Sequence, residues 1–257
     1  MALPDGLGTL FLDGGIGRTL NVPLPSGELA NDEDWDRPGW WESHEPVSAE
    51  LWTALRIAHP RSGLWPLILS EEIIPDAGED DEAYRDPARI DAFDLDAHLT
   101  GEWRWHEEAD RVAGQPFRTW PGLAPPAPRS KDPGLHADQI VRNLTGESHL
   151  ALVPAARGAD VLTVTGWTGS CNYGGDTAPL SALLRTWEDR FGATVVSIDI
   201  GDLWVAVAAP PQSMEDAMLL AAEHLSFCSS NISYAPNGFP DYARKLLTQD
   251  VWHFWWD

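Results

Sequence analysis

Residues 251–257 read Val-Trp-His-Phe-Trp-Trp-Asp, and this stretch does most to predict how the chain folds. Side chains alternate between the two faces of an extended strand. Here one face would carry Trp252, Phe254 and Trp256, and the other would carry Val251, His253 and Trp255. Because both faces are mostly apolar, the stretch predicts a core strand that closes a domain.

Composition places the rest of the chain among folded globular proteins. Its 257 residues are 43% hydrophobic and include 14 Trp, enough for one large domain or two modest ones. No stretch approaches the ~20 apolar residues that span a bilayer. The first residues lack the pattern of a secretory signal, and two cysteines are too few for a disulfide scaffold, so we expect a cytoplasmic protein.

The formal net charge of −23 limits the possible partners. Direct binding to the phosphate backbone of DNA or RNA needs stripes of Lys and Arg, which this acidic sequence lacks. The same charge would attract a basic protein. Alternatively, the acidic surface only keeps a Trp-rich chain in solution.

A proline-rich run at 119–134 predicts an extended linker. It would separate an upstream α+β region, 1–118, from a downstream α+β domain, 135–257. The downstream patterns predict the order β-β-α-β-β-α-α-β, that is, an antiparallel or mixed sheet with packed helices. The fold class expected for the whole chain is therefore α+β.

The downstream elements follow from local signals. Strands are expected at 150–153 and 161–165, joined as a hairpin, and at 194–198 and 203–207. Pro179 would start a helix that stops at Gly192, Ser213 would cap the next one, and a shorter helix would run from Tyr242 to Leu247.

Upstream, Ser48 is expected to cap a helix that ends at His59-Pro60, and Pro66 would place strand 64–69 at a sheet edge. Residues 76–82 are expected to form an acidic surface loop. An ungapped similarity between 51–69 and 180–198 reflects either duplication or shared local structure.

Three stretches, Asp176–Val196, Ala221–Cys228 and Trp252–Asp257, resemble an actinobacterial family known as domain of unknown function 4253. The resemblance covers about residues 150–257, and His59–Leu69 is more loosely similar to the region before that domain in longer members. It implies no activity. The family usually continues after Cys228 with Pro-Asp-Asn, whereas this chain has Ser-Ser-Asn and keeps only Asn231.

The loop 166–176 is rich in glycine and polar residues between two predicted elements, so it is either a binding loop or a long turn. The candidate binding residues are Trp167, Asn172, Tyr173, Asp176, His224 and Asn231.

Cys171, His224 and Cys228 are weak candidates for a zinc site, because His224 and Cys228 share a helix face. No second close ligand pair accompanies them, so we expect neither metal nor cofactor. Cys171 with His224 as its base would be a nucleophile without a recognised local motif. Trp40, Trp41, Trp103 and Trp105 form either an exposed contact surface or upstream core.

Together these features favour a non-catalytic acidic binding or regulatory protein. It would neutralise a basic protein partner such as a toxin domain, with no membrane or direct nucleic-acid contact. The alternative is an uncharacterised enzyme that uses the 166–176 loop and His224. The sequence leaves the oligomeric state undetermined.

Overall fold

The computed structural model describes most of the chain. The described residues are 2–4, 6–30, 37–69, 81–108, 111–144, 148–170 and 176–256, without side chains at 81 and 82. Cys171, Asn172 and Tyr173 lie outside the described residues, as does nearly all of the predicted acidic loop at 76–82.

Seven strands in the described part of the chain form one mixed sheet. They are β1 (Gly27–Ala30), β2 (Trp40–Ser43), β3 (Trp65–Leu69), β4 (His149–Val153), β5 (Ala193–Ile198), β6 (Asp202–Val207) and β7 (Val251–Trp255). Their order in the sheet is β1-β2-β4-β3-β5-β6-β7. All neighbours run antiparallel except β3 and β5, which are parallel and bridge at Ile68 and Ser197.

The helices connect and cover these strands. They are α1 (Ala49–Ser62), α2 (Asp81–Tyr84), α3 (Ala88–Ala92), α4 (Leu95–Glu108), α5 (Pro133–Leu144), α6 (Val161–Thr165), α7 (Ala178–Phe191), α8 (Met214–Phe227), α9 (Ser230–Ser233) and α10 (Phe239–Leu246). None of the helices in the described residues has both the length and the apolarity needed to cross a membrane.

The sheet separates two apolar cores. Helices α1 and α5 pack on one face, where Trp52 and Val141 meet Ile68 of β3. Helices α4, α6, α7, α8 and α10 contribute to the larger core on the other face, which includes Leu67 of β3 and Trp187 of α7. Because side chains alternate between the two faces of a strand, the strands contribute residues to both cores. The predicted α+β class with a mixed sheet is confirmed.

The aromatic C-terminal stretch does form a strand, β7, which pairs antiparallel with β6. Trp252 and Phe254 are buried in the larger core, whereas Val251, His253 and Trp255 on the other face are only half-buried. The predicted strand therefore forms, fully buried on one face and half-buried on the other. On that face Val251 packs against the smaller core, and the His253 ring stacks on Trp204 of β6 with ring centres 3.9 Å apart.

The strand predicted at Val161–Thr165 is instead the short helix α6. Gly166 takes a left-handed φ of 63°, and its N–H bonds to the carbonyls of Leu162 and Thr163. Thr165 Oγ1 also donates to Val161 O at 2.8 Å. All five residues of α6 are buried, so the apolar run reflects burial rather than strand pairing.

The other downstream predictions hold more closely. Helix α7 ends at Gly192, which has a φ of 58°, and Ser213 Oγ accepts a bond from Asp216 N at the start of α8. Strands β5 and β6 pair as an antiparallel hairpin, and α10 covers most of the shorter helix predicted near Tyr242.

Two upstream expectations are wrong. Helix α1 continues past Pro60 to Ser62, because the proline lies in the last turn and Gly63 completes the cap with a φ of 69°. Strand β3 is central rather than at an edge. Pro66 is tolerated because β3 bridges β5 only at Ile68, while the Trp65 indole donates to Val195 O at 3.1 Å.

The two similar stretches, 51–69 and 180–198, each form a helix, a left-handed glycine and a strand. Their strands β3 and β5 are parallel neighbours, whereas their helices α1 and α7 pack on opposite faces of the sheet. This arrangement is compatible with duplication and with shared local structure alike.

The predicted boundary at 119–134 does not divide the sheet. Strands β1, β2 and β3 precede it and the others follow it, yet β3 lies between β4 and β5. The segment also rests on the larger core, because Ala124 N donates to Glu223 Oε1 at 2.7 Å and Ala127 N donates to Arg190 O at 3.1 Å. Its last residues, Pro133 and Gly134, begin α5.

This topology predicts that residues 135–257 do not fold alone. Without β3, β4 has no neighbour that joins it to β5, and buried backbone groups of both strands lose their partners. We expect the fragment to lack the near-UV circular dichroism and cooperative melting of the full chain, and to regain both when mixed with residues 1–134. A fragment that melts cooperatively by itself would contradict the prediction.

Candidate functional site

A cleft of about 560 Å³ opens between α4, the start of α7 and the end of α8. We call it the α4–α8 cleft. Helix α4 forms the polar wall of the cleft. The start of α7, the end of α8 and Trp256 form its opposite side. It is lined by His98, Glu102, Trp105 and His106, by Asp176 and Pro179, and by residues 225–229 with Trp256.

Helix α4 presents this wall because of its residue spacing. His98, Glu102 and His106 recur every four residues and therefore share one helix face. Leu99 and Trp103 lie one position further round and are buried in the larger core, which fixes the helix against the sheet side. The α4 wall is thus a consequence of an amphipathic helix.

The side chains at the cleft differ in exposure. Trp105 is 53% exposed, although its neighbour Trp103 is 1% exposed. Trp256 is half-buried and held in place, because its ring lies 5.1 Å from that of Trp167 and 5.7 Å from that of Phe227. The cleft therefore has one exposed aromatic ring and one supported aromatic ring.

The charges of the cleft are negative at neutral pH. Burial lowers the pKa of His98, and the nearby Glu102 and Asp176 carboxylates only partly oppose that shift. His98 is consequently uncharged at pH 7. Glu102 is partly exposed, and it forms no hydrogen bond or salt bridge with any residue that the structure describes.

Asp176 is the predicted binding residue that lines the cleft. Its Oδ2 accepts from Arg89 Nη2 at 2.6 Å, and its Oδ1 accepts from Ala178 N at 3.1 Å in the first turn of α7. The Arg89 guanidinium also lies 4.8 Å from the centre of the Tyr84 ring. Asp176 thus caps a helix and holds a cation at the cleft rim.

Trp167 and Asn231 support the cleft from outside. Trp167 is buried, and its Nε1 donates to Asp199 O at 2.6 Å. Asn231 Nδ2 donates to His253 O at 2.5 Å, and Asn231 Oδ1 accepts from Trp255 N at 3.3 Å. The Asn231 amide occupies the place of a further strand along the free edge of β7, which leads directly to Trp256.

His224 lies in the aromatic core rather than in the cleft. It is 0% exposed, and its ring centre lies within 4.6–4.9 Å of those of Trp187, Trp252 and Phe254. Its Nδ1 is 2.9 Å from the Tyr242 hydroxyl. Burial, with a smaller effect of the positive charge of Arg190, lowers the pKa of His224 well below its ordinary value.

Cys228 lines the cleft as an unreactive thiol. Its side chain is buried, and Sγ lies 3.0 Å from Trp255 O and 3.1 Å from Asn231 Oδ1. Burial raises its pKa to about 12. Among the described residues no cluster of three or more His, Cys, Asp and Glu side chains is arranged to hold a metal ion.

The α4 wall is not among the sites predicted from the sequence, although the four-residue spacing of His98, Glu102 and His106 is a signal that could have revealed it. It left Trp40, Trp41, Trp103 and Trp105 open between core and surface. The structure buries Trp40, Trp41 and Trp103 and exposes Trp105. It also buries an ion pair between Arg190 and Glu223 that no local pattern marks.

Comparison with known proteins gives a family-model match over part of the chain and no activity. Residues 149–257 match the model of a family described as a domain of unknown function, DUF4253. The match includes the α7, α8 and β7 side of the cleft, whereas α4 precedes it. No curated protein matches the chain, and no solved structure matches it.

The burial of His224 predicts a pH-dependent stability. Because the ordinary pKa is 6.5 and the folded pKa is lower, the unfolded chain binds one more proton below pH 6.5. The contribution of His224 to stability is complete above that pH and falls by about 1.4 kcal/mol per unit as the pH drops toward the folded pKa.

Denaturant titrations between about pH 8 and about pH 5 measure this slope. We expect His224→Phe to lower this slope relative to the wild type, because the difference in bound protons between the unfolded and folded chains shrinks by nearly one. The exposed-site variant His44→Gln is the control and should leave the slope closer to that of the wild type. An unchanged slope in His224→Phe would show that His224 is not buried in its neutral form.

The environment of Cys228 predicts slow thiol chemistry. In a Cys171→Ser background, Cys228 is the one remaining cysteine, and its high pKa leaves almost no thiolate at about pH 8. A disulfide reagent should label the native protein far more slowly than the protein in denaturant. Rapid labelling of the native chain would contradict this account of the site.

Proposed function

We propose that this protein is a non-catalytic acidic binding protein that takes up a basic protein partner at the α4–α8 cleft. The observation that carries the proposal is that the cleft lining contains Glu102, which pairs with no described residue, and the exposed Trp105, three residues away on α4. A carboxylate together with an aromatic face is the pairing that attracts protein cations.

The distribution of charge supports this proposal. Of the 17 Lys and Arg residues, several are committed to carboxylates within the fold. Examples are Arg56 with Asp138 and Arg190 with Glu223. These pairs leave a surplus of negative charge, and its long-range field would draw a basic partner to the surface.

The predicted nucleophile, Cys171, lies outside the described residues, and the chemistry of its predicted base His224 and of the second cysteine, Cys228, favours binding over catalysis. His224 is buried without access to the cleft, and the pKa of Cys228 leaves its thiol protonated at neutral pH. An activated nucleophile needs a base within hydrogen-bond reach or a lowered pKa. The partner that we favour is a basic toxin domain, which this protein would neutralise in the cytoplasm of an actinobacterium.

The proposal predicts a salt-sensitive association. A partner captured from the source cells and identified by mass spectrometry should be basic, and its association rate should fall as salt rises because attraction is screened over ~8 Å at physiological ionic strength. The dissociation rate should change less. An association rate that is independent of salt would contradict the proposal.

Two variants of α4 test whether the cleft is the contact. Glu102→Gln removes the charge inside the cleft, whereas Glu108→Gln removes one charge from an exposed position outside its lining. We expect Glu102→Gln to weaken binding about tenfold and Glu108→Gln much less. Equal effects would show that the partner senses only net charge. Turnover of a small molecule by the purified protein would instead support the enzyme alternative.

A further inference from the structure

We propose that the α4–α8 cleft recognises a single arginine side chain of the partner, with its guanidinium group between Trp105 and Glu102. This inference rests on the proposed function and specifies its ligand. It follows from the shape of the cleft, from the two cation-binding groups on α4, and from an arginine that the protein already holds at the same rim.

The floor of the cleft suits the stem of a long side chain. Pro179, Leu225 and Phe227 line it and are buried. Arginine buries its methylene groups against such apolar surface while its charged end stays at a polar rim. A volume of about 560 Å³ leaves ample room for one side chain and several waters.

The polar wall favours a planar cation. Glu102 and Trp105 are three residues apart on α4 and therefore project from adjacent positions of one helix surface. A guanidinium group stacks its flat face on an aromatic ring while its edge donates N–H bonds to a carboxylate. The ammonium group of lysine has no flat face and makes these two contacts less well together.

The protein uses the same chemistry at the cleft rim. The guanidinium of Arg89 lies over the Tyr84 ring, 4.8 Å from its centre, and donates to Asp176 at 2.6 Å. Asp176 itself lines the cleft. This internal example places a guanidinium between an aromatic ring and a carboxylate in the same environment. Glu102 and Trp105 offer a similar pair: the His106 ring meets the Trp105 ring at a steep angle, 4.8 Å between centres, and no guanidinium of the described residues is recorded over the Trp105 ring.

Because His98 is neutral, it does not weaken the attraction of Glu102 and Asp176 for an incoming cation. It lies beside both Glu102 and Asp176, and a protonated imidazole there would compete with an incoming cation. Its burial keeps it uncharged at pH 7. The opposite wall, Trp256, is fixed by its ring contacts with Trp167 and Phe227, so one side of the cleft is preorganised.

The test uses the full chain and blocked single amino acids. The indole N–H signal of Trp105, assigned with Trp105→Phe, is followed by NMR during titration with Nα-acetyl-arginine amide. We expect saturable binding with a Kd on the order of millimolar. The neutral isostere Nα-acetyl-citrulline amide and Nα-acetyl-lysine amide should bind at least about fivefold more weakly.

Variants localise the effect. Glu102→Gln should weaken the arginine probe about tenfold, and Trp105→Ala should abolish its preference over the lysine probe. Glu108→Gln is the matched control and should bind as the wild type does. Each variant must retain the cooperative melting of the wild type. If Glu102→Gln proves unstable, Glu102→Asp replaces it, and this variant should bind the arginine probe more tightly than Glu102→Gln because it keeps a carboxylate.

The outcomes separate this inference from the proposed function. Equal binding of the arginine and lysine probes, or an unchanged affinity in Glu102→Gln, would overturn arginine recognition. A basic partner could still bind in a salt-sensitive way, and the proposed function would then stand. Tighter binding of free L-arginine than of the blocked form would indicate a small metabolite and would also overturn the inference.

Discussion

The buried ion pair between Arg190 of α7 and Glu223 of α8 holds the larger core together. Its closest contact, Arg190 Nη2 to Glu223 Oε2, is 2.5 Å, and the Glu223 side chain is 0% exposed. The Trp187 indole and the Ala124 backbone N–H also donate to this carboxylate, each at 2.7 Å. Removing the Arg190 charge would leave the Glu223 carboxylate buried without its counter-charge, at a cost of about 3–5 kcal/mol.

The elements that this pair joins also shape the cleft. Trp187 stacks on Phe254 of β7 with ring centres 5.5 Å apart, and it contacts Phe227 at the end of α8. Phe227 in turn contacts Trp256 in the cleft wall. The ion pair, the C-terminal strand and the Trp256 ring that lines the cleft therefore form one continuous set of contacts. We infer that the family-matched part of the chain supplies the rigid side of the site.

Burial divides the chemistry of the protein, because buried and accessible groups lie on the same face of the sheet. Groups that would be reactive in water, such as the His224 imidazole and the Cys228 thiol, are placed where burial keeps them neutral. Glu102 and Trp105 instead remain accessible on α4. The arrangement proposed for a bound cation therefore uses the accessible groups of α4 and not the buried imidazole or thiol.

Local sequence patterns by themselves determined the elements whose signals lie within a few residues: the Ser213 cap, the Gly192 stop, the β5–β6 hairpin and the burial of Trp252. Only the tertiary structure decided that α6 is a helix, that β3 is central, and that α4 meets the start of α7. Apolar periodicity indicates that a segment is buried but not which segment it packs against. The α4 wall and Asp176 are about seventy residues apart in the sequence, so no local pattern links them. Long-range packing therefore determines both which strands are neighbours and where the candidate site lies.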